Sequence, residues 1–475
     1  MQSKGRGKLF IENFLVYGLG GMISRFVPML MLPIITRLYP GSEYLGLNDL
    51  STTFISFASA LAVCGMYDAM FRLFFDNESL EWQQKICSTA LWFVMSTSVF
   101  LSIICAVLRK PIAAWYFEGE QYEGLVVITV IGFLISATNQ IVSAPTRIQN
   151  KRKVFLVTNT ISPIISYSVA IPMILKGWYI MAMPIATVVA AVTLEVSFGV
   201  MNRKYFGIRH FDKQKLISLL KIGLPLMPNF LVYWVYNSSD KVMITKLLGT
   251  DFTGVYSVAS KIGHVSNLIY TAFAGGWLYF AYSTMNDDDQ VQLKSNIFEY
   301  MGAVSFAATA ALMSVSKLGF TVLFTDEYID GYLIAPYLFL APLLLMLYQI
   351  LANQFTIVKK TYMNLCSLSV GAAVNVGLNI VLIKAIGSEG AAIATVIGYI
   401  VSILMCLFWL IRMDLIVINK KVYLNVGVFA AFFVIWRLFL CGSYVFSLVC
   451  GMAVMLLYLV IYRKMLLGML KKRRK

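Results

Sequence analysis

The sequence predicts an all-α polytopic membrane protein of about fourteen transmembrane helices, arranged as two parallel-repeat six-helix bundles plus two C-terminal helices. Three observations carry that prediction. Of the 475 residues, 59% are hydrophobic and 13% charged, with a mean hydropathy of +0.76, whereas a soluble chain carries about 25% charged residues. Apolar runs of the ~20 residues that cross a bilayer as helix recur along the whole length, and the short alternating segments of a β-barrel do not occur. Finally, the chain repeats itself. Ile35-Thr36-Arg37-Leu38, followed by Gly46-Leu47, answers Ile244-Thr245-Lys246-Leu247, followed by Gly254-Val255, at an offset of 209 residues for the Ile-Thr step.

Taken in order, the expected spans lie near 10–38, 44–73, 84–108, 123–148, 153–175, 178–202, 217–247, 252–283, 292–316, 330–358, 361–385, 388–412, 421–440 and 443–463. Connections are short, the longest polar one being NRKYFGIRHFDKQK at 202–215. A second match supports the repeat. Leu175-Lys176 with Ile185-Ala186-Thr187-Val188 answers Ile383-Lys384 with Ile393-Ala394-Thr395-Val396 at an offset of 208. Spans one to six and seven to twelve are thus read as copies, and an even number of spans per copy makes the repeat parallel. The chain divides into a first bundle at 1–202, a cytoplasmic linker at 203–216, a second bundle at 217–412, and helices thirteen and fourteen with a basic tail at 413–475. Transporters use such repeats as two bundles that rock about a site between them.

The net charge of +16 reads as topology rather than as a nucleic-acid partner. With a cytoplasmic N-terminus, most basic residues fall on one face, including Lys4/Arg6/Lys8, Arg147 to Lys153, Arg203 to Lys221 and the KKRRK tail. The opposite face receives only Arg37, Arg109, Lys110, Lys176, Lys241, Lys246, Lys317, Lys384 and Arg437. That bias places both termini in the cytoplasm. The N-terminal stretch lacks a cleavage pattern and is expected to be retained. Seven cysteines form no Cys-x-x-Cys pair, so neither a disulfide framework nor a metal site is expected.

An ionisable group deep in a span costs several kcal/mol unless paired or hydrated (about 2.5–3.5 on insertion scales) and is a functional candidate by default. Arg25 stands mid-span among Gly18, Gly20, Gly21 and Pro28. In span eight, Ser257, Lys261 and His264 share a helical face. That stripe suits either a wet cavity or a helix–helix hydrogen-bonding face. Together Arg25 and Lys261 would suit a diphosphate. Three acids, Asp49, Asp68 and Glu195, are candidates to bind a coupling cation, H+ or Na+. Asp49 and Glu195 are equally placed to pair with Arg25, and Asp68 with Arg72 one turn on. Asp240 has a structural reading beside Lys241. The amide pairs Gln349/Asn353 and Asn375/Asn379 suit interhelical hydrogen bonds or sugar contact. No phosphate-binding loop, no His-Glu-x-x-His motif and only two histidines occur, so built-in ATP hydrolysis and zinc catalysis have no basis. No catalytic residues and no cofactor are expected.

The pairing of LPIITRLYPGSEYLGL with SSDKVMITKLLGTDFTGVYSVASKIG resembles the polysaccharide transporter family. These are the O-antigen and capsular lipid-linked oligosaccharide flippases of the multidrug/oligosaccharidyl-lipid/polysaccharide superfamily. The family's recurrent acidic–basic pair, Leu-Gly and Gly-Val-Tyr are matched by Asp240-Lys241, Leu248-Gly249 and Gly254-Val255-Tyr256. Lys241 departs from the more common Arg, which replaces a bidentate contact by a point charge. The resemblance implies a bacterial inner-membrane protein that moves undecaprenyl-diphosphate-linked oligosaccharide units for O-antigen, capsule, exopolysaccharide or lipopolysaccharide synthesis. It implies a cationic central cavity, faced by Arg25 in the first span. With the Ser257, Lys261 and His264 face read from helical spacing, the expected substrate-binding set is Arg25, Lys261, His264, Ser257, Asp240 and Lys241. The implied partners are the lipid-linked glycan, membrane lipids, a polysaccharide polymerase and a chain-length regulator. A multidrug or cation antiporter of the same superfamily, or an integral-membrane polysaccharide polymerase, are the alternative readings.

Overall fold

The computed structural model describes residues 27–149, 151–285 and 287–463. These are almost wholly helical, with no strand among them. The helices are α1 (Val27–Leu38), α2 (Glu43–Val63), α3 (Met66–Phe74), α4 (Leu80–Val107), α5 (Arg109–Tyr116), α6 (Glu123–Ile148), α7 (Arg152–Leu175) and α8 (Tyr179–Asn202). A run of α9 (Lys213–Gly223), α10 (Met227–Trp234) and α11 (Asp240–Leu248) follows. Then come α12 (Thr250–Gly263), α13 (Asn267–Ser283), α14 (Gln290–Leu323), α15 (Gly331–Ile357), α16 (Thr361–Ile386), α17 (Ser388–Arg412), α18 (Lys420–Ile435) and α19 (Tyr444–Ile461).

Among the described residues, ten helical runs are long and apolar enough to cross a membrane, and α2 with α3, bent by 48°, makes an eleventh. The protein is therefore a multi-pass membrane protein. The expected first span falls largely on 1–26, outside the described residues, and α1 is its described end. The fifth is met by α7, whose shorter apolar part is Thr160–Leu175. The eighth is broken into α12 and α13 by a 3-10 turn at His264–Ser266.

The chain forms two compact units that divide between Ser257 and Val258. In the first, α6 packs against α2, α4 and α8, and α7 against α8. Its core holds Ala62, Met66, Met70, Ile86, Val94 and Ile141 in one cluster and Leu47, Leu50, Phe117, Leu125 and Phe133 in another. In the second, α15 is the enclosed helix, with 83% of its apolar window buried. It packs on α13, α14 and α17. Inside lipid every polar group must find a partner within the protein. Many buried hydroxyls do so by bonding back one turn, as in Thr129→Leu125 O at 2.7 Å and Thr309→Ser305 O at 2.8 Å.

Two departures from regular helix position the site. The first is the bend between α2 and α3, where Cys64 (φ 47°) and Gly65 (φ 70°) both occupy the left-handed region. A side chain at Gly65 would meet the backbone of Gly223, and one at Gly223 would come within 2.6 Å of Cys64 O. Two backbones thus touch where α3 meets the end of α9. The second is a π-helical turn at Val235–Ser239, between α10 and α11. Such turns insert an extra residue and collect at functional sites. Gly65→Ala combines a left-handed backbone, about 1–2 kcal/mol, with a clash, and should lower the detergent-solubilised melting temperature. Gly427→Ala, with open space around it, should leave it unchanged or raised.

Candidate functional site

The π turn delivers two adjacent ionisable residues, Asp240 and Lys241, to the start of α11. Their side chains turn to different partners. Lys241 Nζ lies 2.8 Å from Asp49 Oδ2 on α2. Ser257 Oγ on α12 donates to the same oxygen at 2.5 Å. Asp240 accepts the Tyr256 hydroxyl from α12, and its Oδ1 accepts the Lys241 backbone N–H at 2.9 Å. Asp49, Asp240, Tyr256 and Ser257 are all buried. Two carboxylates and an ammonium in one apolar neighbourhood are tolerable only with such dense satisfaction, because a buried ion left alone carries an effective penalty of several kcal/mol.

The helices reach this closeness through glycine. A side chain at Gly46 would meet Thr250 O, and one at Gly254 would meet Ser42 O. Residues 42 and 46 in the first copy correspond to 250 and 254 in the second, at the repeat offset of 208. The contact is therefore reciprocal, as a two-fold relation requires. Ser42 Oγ adds a hydrogen bond to Asp251 O at 3.2 Å, and Thr245 Oγ1 meets Thr253 Oγ1 at 2.7 Å. The repeat read in the sequence is here a physical crossing of its two motifs.

Of the residues singled out on sequence, four converge: Asp49, Asp240, Lys241 and Ser257. Asp49 takes Lys241 as partner, across most of the first unit. Lys261, half-buried in the last turn of α12, has interactions of its own. His264 Nδ1 lies 3.2 Å from Ser260 Oγ. Arg25 lies outside the described residues. Asp68 does not pair with Arg72, which bonds Asp76 one turn further on instead; Asp68 is exposed on α3. The local pairing expected there is corrected by the helix end, where the chain beyond Phe74 brings Asp76 back onto the Arg side chain. Glu195, half-buried on α8, adjoins the Thr138 and Asn139 side chains of α6. Beside it lies a cavity of about 520 Å³ lined by Asn139, Gln140, Ser162, Ser166, Tyr167 and Thr187 among others. The amide pairs serve helix packing. Asn375 Nδ2 donates to Thr395 Oγ1 of α17 at 3.0 Å, and Gln349 Nε2 to Tyr270 OH of α13 at 2.7 Å.

Tyr256 was visible as part of a motif but not as the partner of Asp240; its spacing of sixteen residues, across a turn, gives no periodic signal. A second ion pair had no signal either. In the second unit Arg437 forks onto Glu389, Nε–Oε1 at 2.5 Å and Nη2–Oε2 at 2.7 Å, with Tyr337 OH donating to Oε1 at 3.0 Å. Arg437 stands on another π turn, Trp436–Leu440.

Comparison with known proteins places this architecture. The fold is that of polytopic helical transporters. It superposes on the lipid II flippase MurJ in an inward closed conformation with a TM-score of 0.75 at 16% identity, covering 95% of this chain and 100% of that one. An inward-facing multidrug resistance MATE family transporter of the MOP superfamily gives 0.61 at 15% identity, covering 83% and 98%. The family model described as polysaccharide biosynthesis protein matches residues 34–332, well over half of the chain, and the chain belongs to that family. The teichuronic acid biosynthesis protein TuaB of Bacillus subtilis (strain 168) is 22% identical over 255 residues, 52% of this chain and 51% of that one. The amylovoran biosynthesis protein AmsL of Erwinia amylovora is 20% identical over 186 residues, 38% and 46% respectively. The chain thus spans about half the length of the curated relatives it matches.

Removing either member of the Asp49–Lys241 pair leaves a buried charge, at a cost of about 3–5 kcal/mol. Asp49→Asn and Lys241→Met should each lower the melting temperature in detergent, and the double variant should lose clearly less than the sum of the two.

Proposed function

We propose that this protein is a flippase that carries undecaprenyl-diphosphate-linked oligosaccharide units across the bacterial inner membrane for surface polysaccharide synthesis. The observation that carries the reading is a conjunction: a chain of the polysaccharide biosynthesis family has the fold of a lipid II flippase along nearly its whole length. The proposed substrate has the features that such a scaffold must handle, a lipid tail that stays in the bilayer and a polar head that must not. In this reading both termini are cytoplasmic. The bundles at 1–202 and 217–412, joined by 203–216, alternate access about a cationic cavity, and 413–475 adds two helices and a tail. Arg25 and Lys261 hold the diphosphate, with His264 and Ser257 on the same helical face as Lys261. Asp240 and Lys241 complete the proposed substrate-binding set. Asp49, Asp68 and Glu195 are the acids proposed to couple transport to an H+ or Na+ gradient, Glu195 being supported by its place beside Asn139, which lines a cavity. A polymerase and a chain-length regulator would take the product.

The second reading is a cation or drug antiporter, favoured by the likeness to MATE transporters. The deciding experiment complements a deletion strain with this gene and follows lipid-linked glycan. A flippase leaves complete single units on the cytoplasmic face when absent. Units stranded on the outer face would mean polymerisation, and unchanged glycan with altered drug sensitivity would mean antiport.

Neutralising Arg25 and Lys261 together (Arg25→Gln with Lys261→Gln) should cut surface polysaccharide at least about tenfold at normal protein level, since a hydrogen bond to a charged group contributes about 1.5–3 kcal/mol. Intact export would defeat the diphosphate assignment. Ser42→Cys with Asp251→Cys, cross-linked across the glycine crossing, should halt export, and reduction should restore it. Undiminished export in the cross-linked state would show that the crossing does not open.

A further inference from the structure

Outside the charge network, the segment that leads into α9 combines features that the transport reading does not use. A groove of about 470 Å³ lies between α4 and this segment, walled by Trp92, Phe93 and Ser96 on one side and by Phe211 and Leu216 on the other. Four of those five side chains are apolar. Phe211 remains 48% exposed, as does Ile217 on the first turns of α9. Large apolar groups left open beside a span are expected where lipid covers them.

The same segment is strongly basic, with Arg203, Lys204, Arg209, Lys213, Lys215 and Lys221. None of the six enters an ion pair among the described residues, and the nearby acids are engaged elsewhere. Asp212 caps α9, accepting from Gln214 N at 2.8 Å and Lys215 N at 3.1 Å. Glu81 takes Lys85 at 2.7 Å. Lys204 and Lys215 lie over the rings of Tyr205 and Trp82, at 4.8 and 3.7 Å; Arg203, Arg209, Lys213 and Lys221 are exposed, and of these Arg209 and Lys213 flank Phe211 in the chain, the residue that walls the groove. The backbone is held in place by α4. Gln84 Nε2 donates to Lys204 O at 2.8 Å, Gly207 N to Ser88 Oγ at 3.1 Å, and Asp212 N to Thr89 Oγ1 at 3.0 Å. The basic residues are therefore presented on a fixed support rather than on a loose loop.

We propose that this groove is a binding site for an anionic phospholipid of the adjacent leaflet. One acyl chain lies along Trp92, Phe93, Phe211 and Leu216, and the headgroup phosphate sits at Arg209 and Lys213. A zwitterionic lipid has the chain but carries no net charge to offset the cations. Free phosphate has the charge but nothing to cover the apolar wall. A basic residue near an anionic membrane surface contributes about a fivefold gain in binding, so the pair together contributes on the order of 25-fold.

The test uses the full-length protein, purified and delipidated in neutral detergent, with phosphatidylglycerol, phosphatidylcholine and inorganic phosphate as separate probes. Native mass spectrometry counts bound lipid and thermal melting reports its effect. Phosphatidylglycerol should be retained at low stoichiometry and raise the melting temperature; phosphatidylcholine and phosphate should do neither. The Arg209→Gln/Lys213→Gln variant, whose exposed side chains leave folding intact, should lose phosphatidylglycerol affinity by roughly 25-fold. Ser96→Trp, which fills the groove and keeps the charge, should lose retained lipid with unchanged melting in its absence. Equal retention of the two lipids would overturn the proposal, as would full retention by the charge variant. Stabilisation by phosphate alone to the same extent would replace the lipid by a free anion.

Discussion

The ion pair between Asp49 and Lys241 is the constraint on which the rest of the first unit depends. A carboxylate and an ammonium placed among apolar helices each carry a desolvation penalty of several kcal/mol, and mutual attraction offsets it only when geometry and hydrogen bonding are nearly complete. Ser257 completes Asp49, and Tyr256 with the Lys241 amide completes Asp240. Every one of those partners comes from α2, α11 or α12. The three helices must therefore meet closely at one level, and small residues permit it. Gly46 and Gly254 have no side chain to hold the backbones apart.

The two matched motifs meet with reciprocal symmetry, each one's glycine against the other's carbonyl, so one small-residue position in the motif yields two contacts. The charges do not follow the symmetry. Asp49 belongs to the first copy, while Asp240, Lys241, Tyr256 and Ser257 belong to the second. Symmetry brings the helices together, and asymmetry between the copies makes the meeting place polar. The second unit contains a related solution. Arg437 stands within a π turn where Lys241 follows one, and its carboxylate partner, Glu389, takes a tyrosine hydroxyl where Asp49 takes a serine one. An extra residue in the helical register lets an ionisable side chain turn inward while its neighbours keep their apolar faces outward. Arg437 presents a planar fork to both oxygens of Glu389, whereas Lys241 offers Asp49 a point charge.

Family membership and fold give these features their setting. A polysaccharide biosynthesis protein built on the scaffold shared by lipid flippases and MATE transporters has helices broken by turns, prolines and glycines where a soluble bundle would have straight ones. The bend of 48° between α2 and α3 adjoins the Gly65–Gly223 contact, and the break between α12 and α13 follows Gly263, where a side chain would meet Leu338. Breaks of this kind leave backbone groups that neighbouring helices must satisfy, and they supply the places where a bundle can change shape without losing its packing.

Much of this was legible in the chain itself. Hydropathy over ~20-residue windows reports helices because a bilayer imposes that length on any helical span, and helix ends followed the expected limits closely. The duplication was readable as matched tetrapeptides. Asp49 stood out as an acid in an apolar run, Ser257 by its helical spacing from Lys261, and Asp240 with Lys241 through the family motif. Their partners were not readable. Asp49 was equally placed for Arg25, Asp68 was set beside Arg72, and Tyr256 was only a letter in a motif. Pairing across 192 residues depends on which faces of α2 and α11 meet, and that is set by the π turn and the glycine crossing rather than by any spacing within one helix. The sequence by itself determined that the chain lives in a membrane, repeats itself and buries charge. Only the tertiary structure decided which charge meets which, because local periodicity governs a single helix while ion pairing is a property of the distances between helices.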